Sequence, residues 1–189
     1  DGGSAGPVAT TTGDPATRLG DADVLDADGR PTDEFLAAWD RRVADGERSG
    51  AGDGDRTGER TAERGPAARA SSLADRFGLD GDVTVRPLGR GAVASVDGER
   101  VGAWESGLAL RSDLAAAALL ADRVDGWEAL STAERGRLCV ALRERRETCP
   151  ACGGTLSTGP VTVRSCCGSL DVRATECVGC EARLVETGR

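Results

Sequence analysis

Between Thr32 and Gly46 the apolar residues Phe35, Leu36, Trp39 and Val43 recur at helical spacing. Thr32 is placed to cap the first turn, Asp33 and Glu34 add acids there, and Gly46 stops the run. This pattern predicts a short amphipathic helix over 32–45, within a unit of residues 31–46. A helix this short is marginal in water alone, so its apolar stripe is expected to dock, either on the chain's own core or in a partner groove. Residues 1–30 and 47–70 carry Gly, Asp, Ala, Thr, Arg and Glu without a sustained apolar face. They are expected to be a disordered N-terminal region and a flexible linker.

Periodicity returns near Ser71. A short helix is predicted from Ser72 to Phe77, and Val83 and Val85 alternate with polar neighbours as a strand. Ala92–Val96 and Arg100–Trp104 flank Asp97-Gly98, a dipeptide favoured in tight hairpin turns. Two helices should follow. Ser112 is read as the cap of the first, which carries Leu114, Ala117, Ala118, Ala121 and Val124; Ser131 and Glu134 form a capping box for the second, running to about Glu147. Trp127 between them reads as a core anchor, and Cys139 beside Leu138 and Leu142 as a buried thiol. Residues 71–148 are thus expected to be a small α+β unit, a helix, an antiparallel hairpin and a helix pair, followed by an all-β segment over 149–189.

That final segment carries the chemistry. Cys149-Pro-Ala-Cys152 and Cys177-Val-Gly-Cys180 are two CxxC pairs separated by 24 residues, counting from Cys152 to Cys177. Each pair forms a tight turn aiming two thiolates at one point, and two such turns supply the tetrahedral sulfur set that zinc prefers. Cys149, Cys152, Cys177 and Cys180 are therefore the candidate ligands of one structural Zn2+. The same sulfurs could hold a rubredoxin-like iron, or remain free or disulfide-linked. Between the pairs, Val161, Val163 and Ser165 alternate with Thr162 and Arg164, and Leu170, Val172 and Ala174 with Asp171 and Arg173. Pairing residues whose numbers sum to 335 sets Val163 opposite Val172 and Arg164 opposite Asp171, a hairpin with Cys166-Cys167-Gly168-Ser169 as its turn.

Two knuckles with a hairpin between them resemble the zinc ribbon of transcript-cleavage elongation factors, over residues 149–189. They also resemble the C-terminal ribbons of uncharacterised haloarchaeal proteins. The resemblance implies an all-β zinc ribbon. The elongation factors carry an Asp-Glu pair at the hairpin tip; here the tip is Cys-Cys-Gly-Ser, so their cleavage activity is not implied. Cys166 and Cys167 have three readings: small residues tolerated at a turn, a redox-active pair, or alternative zinc ligands if Ser157–Pro160 turns the chain back.

Composition narrows the chemistry further. The net charge is −8, and all 24 basic residues are Arg, for the chain contains no Lys, Ile, Asn, Gln, His, Tyr or Met. Without His there is no Ser-His-Asp triad and no imidazole metal ligand; without Lys there is no Schiff base and no Walker lysine. The chain is therefore read as leaning away from catalysis. Its acidic, GC-rich alphabet resembles proteins of salt-loving archaea, in whose cytoplasm the Debye length is only about 3 Å at 1 M salt. Asp26-Ala-Asp28-Gly29 fails as a calcium loop because Val24 and Phe35 occupy its first and twelfth positions. Gly89, Gly91 and Ala94 match a dinucleotide fingerprint in letters alone, since a hairpin rather than a helix follows. With no Met, the start of the gene product is expected upstream of Asp1, leaving room for a targeting or membrane segment there. The longest apolar run, Leu114–Ala121, falls below the ~20 residues of a membrane span, which reads as a soluble, cytoplasmic chain.

The functional expectation is a non-catalytic ribbon that docks on a protein partner. Arg164, Arg173, Arg183 and Arg189 balance Asp171, Glu176, Glu181 and Glu186, and a zinc tetrathiolate adds negative charge, so nucleic acid is the weaker partner. Arg135, Arg137, Arg143, Arg145 and Arg146 keep it open, although Glu134, Glu144 and Glu147 thread the same helix. The alternatives are a thiol-redox enzyme or sensor using Cys166 and Cys167, and a purely structural zinc staple.

Overall fold

The computed structural model describes residues 14–50, 61–165 and 168–187. It is an α+β protein. Helices α1 (Pro15–Asp21), α2 (Asp33–Gly50) and α3 (Thr61–Phe77) precede a sheet of β1 (Val83–Leu88), β2 (Gly91–Val96) and β3 (Glu99–Trp104). Helices α4 (Gly107–Ala121) and α5 (Thr132–Glu144) follow, then a second sheet of β4 (Leu156–Ser165), β5 (Gly168–Cys177) and β6 (Arg183–Thr187). Both sheets are antiparallel, with strand orders β1-β2-β3 and β4-β5-β6.

Helix α4 is the centre of the molecule. Eleven of its side chains are buried, from Leu108 to Leu120, so it has apolar contacts on all sides rather than one stripe. Its cap is Ser106, whose hydroxyl accepts the Ala109 N–H at 3.0 Å, and not Ser112 as the sequence suggests. Ser112 is fully buried inside the helix, where its carbonyl accepts the Trp39 indole N–H at 2.8 Å. The small residues Ala115 to Ala118 let neighbouring elements approach α4 closely. The capping box of α5 is present as read, with Ser131 accepting the Glu134 N–H and Glu134 accepting the Ser131 N–H. Trp127 and Cys139 are buried as expected.

Helix α2 docks on this core. Phe35, Trp39 and Val43 are at most 1% exposed, and Arg123 ties Glu34 at 2.7 Å while lying over the Phe35 ring. The expected disorder of 1–30 is corrected over its second half. Asp14 caps α1, Leu19 and Val24 are completely buried, and a bridge joins Leu25 to Pro31. The pattern is hard to see because single leucines and valines, rather than a repeating stripe, carry the packing. Asp26, in the failed calcium loop, accepts the N–H groups of Asp28 and Arg30, each at 2.9 Å, and so closes a local turn. The expected linker 47–70 also shrinks: α2 continues to Gly50 and α3 begins at Thr61 despite Pro66 within it. Residues 1–13 and 51–60, which share those two readings, lie outside the described residues.

The first sheet follows the sequence reading closely. Asp97 and Gly98 both take positive φ, 51° and 88°, in the two-residue turn between β2 and β3. The second sheet keeps the predicted faces but slips by two residues. Its paired numbers sum to 333, as in Val161 with Val172 and Thr162 with Asp171, and the ladder runs from Leu156–Cys177 to Ser165–Gly168. A slip of two preserves which side chains share a face. Arg164 therefore stands opposite Ser169, and Asp171 instead accepts the Thr162 hydroxyl at 2.7 Å. Ser157–Pro160 is strand, not a fold-back turn.

Removing the Trp39 ring empties the contact between α2 and α4 and removes the indole hydrogen bond to the Ser112 carbonyl. Trp39→Ala should lower unfolding free energy by about 3–5 kcal/mol, read by denaturant titration at fixed salt.

Candidate metal centre

Each CxxC pair sits in a local loop built the same way. The Cys149 N–H donates to the Gly154 carbonyl at 2.8 Å, and the Gly153 N–H to the Cys149 carbonyl at 2.9 Å. In the second loop the Cys177 N–H donates to the Ala182 carbonyl and the Glu181 N–H to the Cys177 carbonyl, both at 2.9 Å. The fifth residue of each loop takes a left-handed conformation: Gly153 at φ 70° and Glu181 at φ 57°. Glycine adopts that conformation without cost; Glu181 does so against its Cβ. A further hydrogen bond, Val178 N–H to the Thr155 carbonyl at 3.0 Å, joins the two loops.

The two loops bring four sulfurs together. All four Sγ atoms of Cys149, Cys152, Cys177 and Cys180 lie within 4.8 Å of one another. The Cys149–Cys180 separation is 3.7 Å and the Cys152–Cys177 separation 3.4 Å. A tetrahedral zinc with Zn–S bonds near 2.3 Å asks for sulfurs about 3.8 Å apart, so the spacing fits a tetrathiolate site. Backbone donors complete the shell, with the Gly179 and Cys180 N–H groups 3.3 and 3.5 Å from Cys177 Sγ. Gly154 makes room for it, because a Cβ there would lie 3.1 Å from Cys177 Sγ and 3.3 Å from Cys152 Sγ. These four sulfurs are the ones that the CxxC spacing singles out, and they could hold a metal ion. Cys166 and Cys167, between β4 and β5, lie outside the described residues.

The environment divides the four. Cys149 and Cys177 are buried, whereas Cys152 and Cys180 are exposed. Burial pushes the Cys149 thiol up to about 12, against the Ala151 and Cys152 N–H groups that favour its thiolate. Burial also opposes charge on Cys177, but the Cys180 N–H, the Cys152 thiol and the Gly179 N–H outweigh it and hold that thiol at about 7. A metal ion would bind as thiolates and release the protons that remain.

Sequence reasoning misses what holds the centre to the body of the protein. Arg146, completely buried at its side chain, donates from Nε to the Thr148 carbonyl at 3.1 Å, immediately before Cys149. It also reaches Asp40 of α2 at 2.6 Å and stacks 4.5 Å from the Trp39 ring. Arg143 joins Glu105 at 3.1 Å and Asp113 at 2.7 Å and donates to the Leu184 carbonyl of β6. The Glu105 carboxylate accepts the Glu186 N–H at 3.1 Å, and the Ser106 hydroxyl donates to the Arg183 carbonyl. Read as a charged helix face, Arg143 and Arg146 are instead the joint between helices and ribbon. Asp113, an acid inside an apolar helix, is the one signal that could have announced it.

Comparison with family models decides the chain's affiliation. Residues 14–144 match the central domain of the family of unknown function DUF8054, and residues 147–187 match its C-terminal domain. The chain belongs to DUF8054. Comparison with curated proteins and with solved structures finds no match. The C-terminal match of this DUF8054 protein contains all four clustered cysteines, and its central match contains α1 to α5. Among the described residues, no helix is long and apolar enough to cross a membrane.

Metal content tests the centre directly. The intact chain should carry one zinc in native mass spectrometry, and Cys152→Ser and Cys177→Ser should each lose it. Gly154→Val should weaken zinc at least tenfold in a chelator competition, since its side chain would displace two sulfurs. Full metal content in either serine variant would contradict the four-sulfur site.

Proposed function

We propose that this DUF8054 protein is a non-catalytic interaction protein whose C-terminal segment, stapled by one structural zinc, docks on a protein partner. The observation that carries this reading is the shape of the second sheet. Among the described residues, strand β6 pairs with β5 from Arg173 to Glu176, while the β4–β5 ladder continues beyond that pairing from Val161–Val172 to Ser165–Gly168. At about 3.4 Å per residue those five pairs form an arm roughly 17 Å long. A two-stranded hairpin is marginally stable by itself, so an arm anchored at a metal-held base suits a surface that is completed by a partner. Thr162 and Asp171 are exposed on it.

The partner's class follows from charge. A zinc tetrathiolate carries formal negative charge at the base of the arm, and the chain as a whole is at −8. Both oppose attraction to a polyanion and favour a protein surface over nucleic acid. The absence of His and Lys, with the four clustered thiols committed to the metal, supports a role other than catalysis. A reducing cytoplasm suits exposed metal thiolates such as Cys152 and Cys180. The acidic surplus suits concentrated salt, in keeping with a halophilic archaeal origin.

Shortening the arm tests the reading. Replacing residues 162–171 by a two-residue Asn-Gly turn keeps both knuckles, β6 and the buried Val172 with its partner Val161. The shortened chain should keep its zinc and its melting temperature but lose, by at least tenfold, whichever cross-linked partner the full chain captures in high-salt lysate. Equal capture of the same partner by both chains would reject docking through the arm and leave the zinc as a structural staple.

A further inference from the structure

The arginines around the C-terminal sheet differ in how their charge is balanced. Arg143 faces two carboxylates, Glu105 and Asp113, and Arg183 faces Glu176 and Glu186. Among the described residues Arg146 pairs with one, Asp40, whose side chain is 44% exposed while that of Arg146 is completely buried. Nη2 of Arg146 donates to Asp40 and Nε to the Thr148 carbonyl, but Nη1 is buried without a hydrogen-bond partner. A buried cation whose only carboxylate is half in water is under-compensated, because solvent screens the anion and not the cation.

The missing anion is close by. Burial works against the Arg146 charge, and the two groups that favour it are Asp40 and Cys149 of the sulfur cluster. Cys149 is 2% exposed, so water does little to relieve a charge on its sulfur. Four thiolates outnumber the two positive charges of Zn2+, and the loaded cluster is an anion. The Trp39 ring, 4.5 Å from the guanidinium, and the Thr148 carbonyl fix Arg146 at the entrance to the first cysteine loop.

We propose that Arg146 is the built-in counter-ion of the metal centre: its buried positive charge, held beside Cys149, sets how tightly the four sulfurs hold zinc. The proposal rests on the zinc reading above and deepens it, giving a residue outside the sulfur set control over affinity. Arg146 is not a ligand; it acts through Cys149 and is a positioning residue. Asp40 works in the opposite sense, because its carboxylate draws on the same guanidinium and adds negative charge near an anionic cluster.

The sign of two substitutions within one ion pair separates charge from mechanics. Zinc affinity is measured by chelator competition, at fixed salt and pH, on the full chain and on Arg146→Met, Arg146→Lys and Asp40→Asn. Arg146→Met keeps an apolar stem against Trp39 without the charge, and should weaken zinc by about tenfold to a hundredfold. Arg146→Lys keeps the charge and should stay within about threefold of the parent. Asp40→Asn should bind zinc at least as tightly as the parent. A mechanical anchor predicts otherwise, since cutting either partner of the Arg146–Asp40 pair would then weaken zinc alike. Parental affinity in Arg146→Met, or a loss of about tenfold in Arg146→Lys or Asp40→Asn, would overturn the proposal. Should Arg146→Met fail to fold, the other two variants decide by that same criterion. A parent chain without zinc would remove the metal reading and this proposal together; a zinc-binding parent with the wrong ranking removes the role of Arg146 alone.

Discussion

Arg143 is the point on which the two halves of the molecule are hung. Its guanidinium touches buried Asp113 on α4, partly buried Glu105 just before that helix and the buried Leu184 carbonyl on β6. Desolvation works against its charge, but the two carboxylates outweigh it and hold it firmly protonated. Breaking such a cluster by removing one member costs about 3–5 kcal/mol, because the remaining charges stay buried without compensation. The guanidinium reaches these partners from two nitrogens, Nη1 toward Glu105 and the Leu184 carbonyl and Nε toward Asp113, whereas a Lys ammonium would have to gather all three around one atom. The chain's use of Arg as its one basic residue type is therefore a structural resource as much as a matter of composition.

The consequence is one core in place of two units. Leu184, Val185, Cys149 and Cys177 belong to the same buried cluster as Trp39, Leu73 and Leu120. The two cysteine loops are thus seated on the helices through their buried cysteines, while Cys152 and Cys180 stay at the surface. Arg146 reinforces this by carrying the same α5 C-terminus onto Trp39 and Asp40. The C-terminal sheet is anchored to the helices at both ends of its sulfur set.

What was legible divides along physical lines. The four-cysteine cluster, the Asp97-Gly98 hairpin, the α5 capping box and buried Trp127 each follow from strong local rules, and the structure has them. Errors arose where a local signal was ambiguous. Ser106 and Ser112 both precede apolar residues, and tertiary burial of Ser112 by Trp39 decides between them. Residues 47–70 read as a linker for want of an apolar face, yet helix α3 begins within them at Thr61, passes through Pro66 and packs Leu73 and Phe77 into the core. The 335 and 333 pairings place the same side chains on the same faces, so alternation by itself could not choose. The choice comes from the knuckle end, where Leu156 pairs with Cys177. Charged side chains were the least legible, because Arg143 and Arg146 look like any solvated helix face until their distant partners are known.

That pairing at the knuckle has a mechanical side. Strand β5 runs unbroken from Gly168 to Cys177, so its last residue is itself one of the four clustered cysteines. The hairpin is in effect a lever whose fulcrum is a sulfur atom. A load applied toward the Ser165–Gly168 end passes along the ladder in shear, with no loop to absorb it before it reaches the cluster. Anything that bends the far end of the arm would therefore tug on the clustered sulfurs and, through Cys177 and Leu184, on the core behind them.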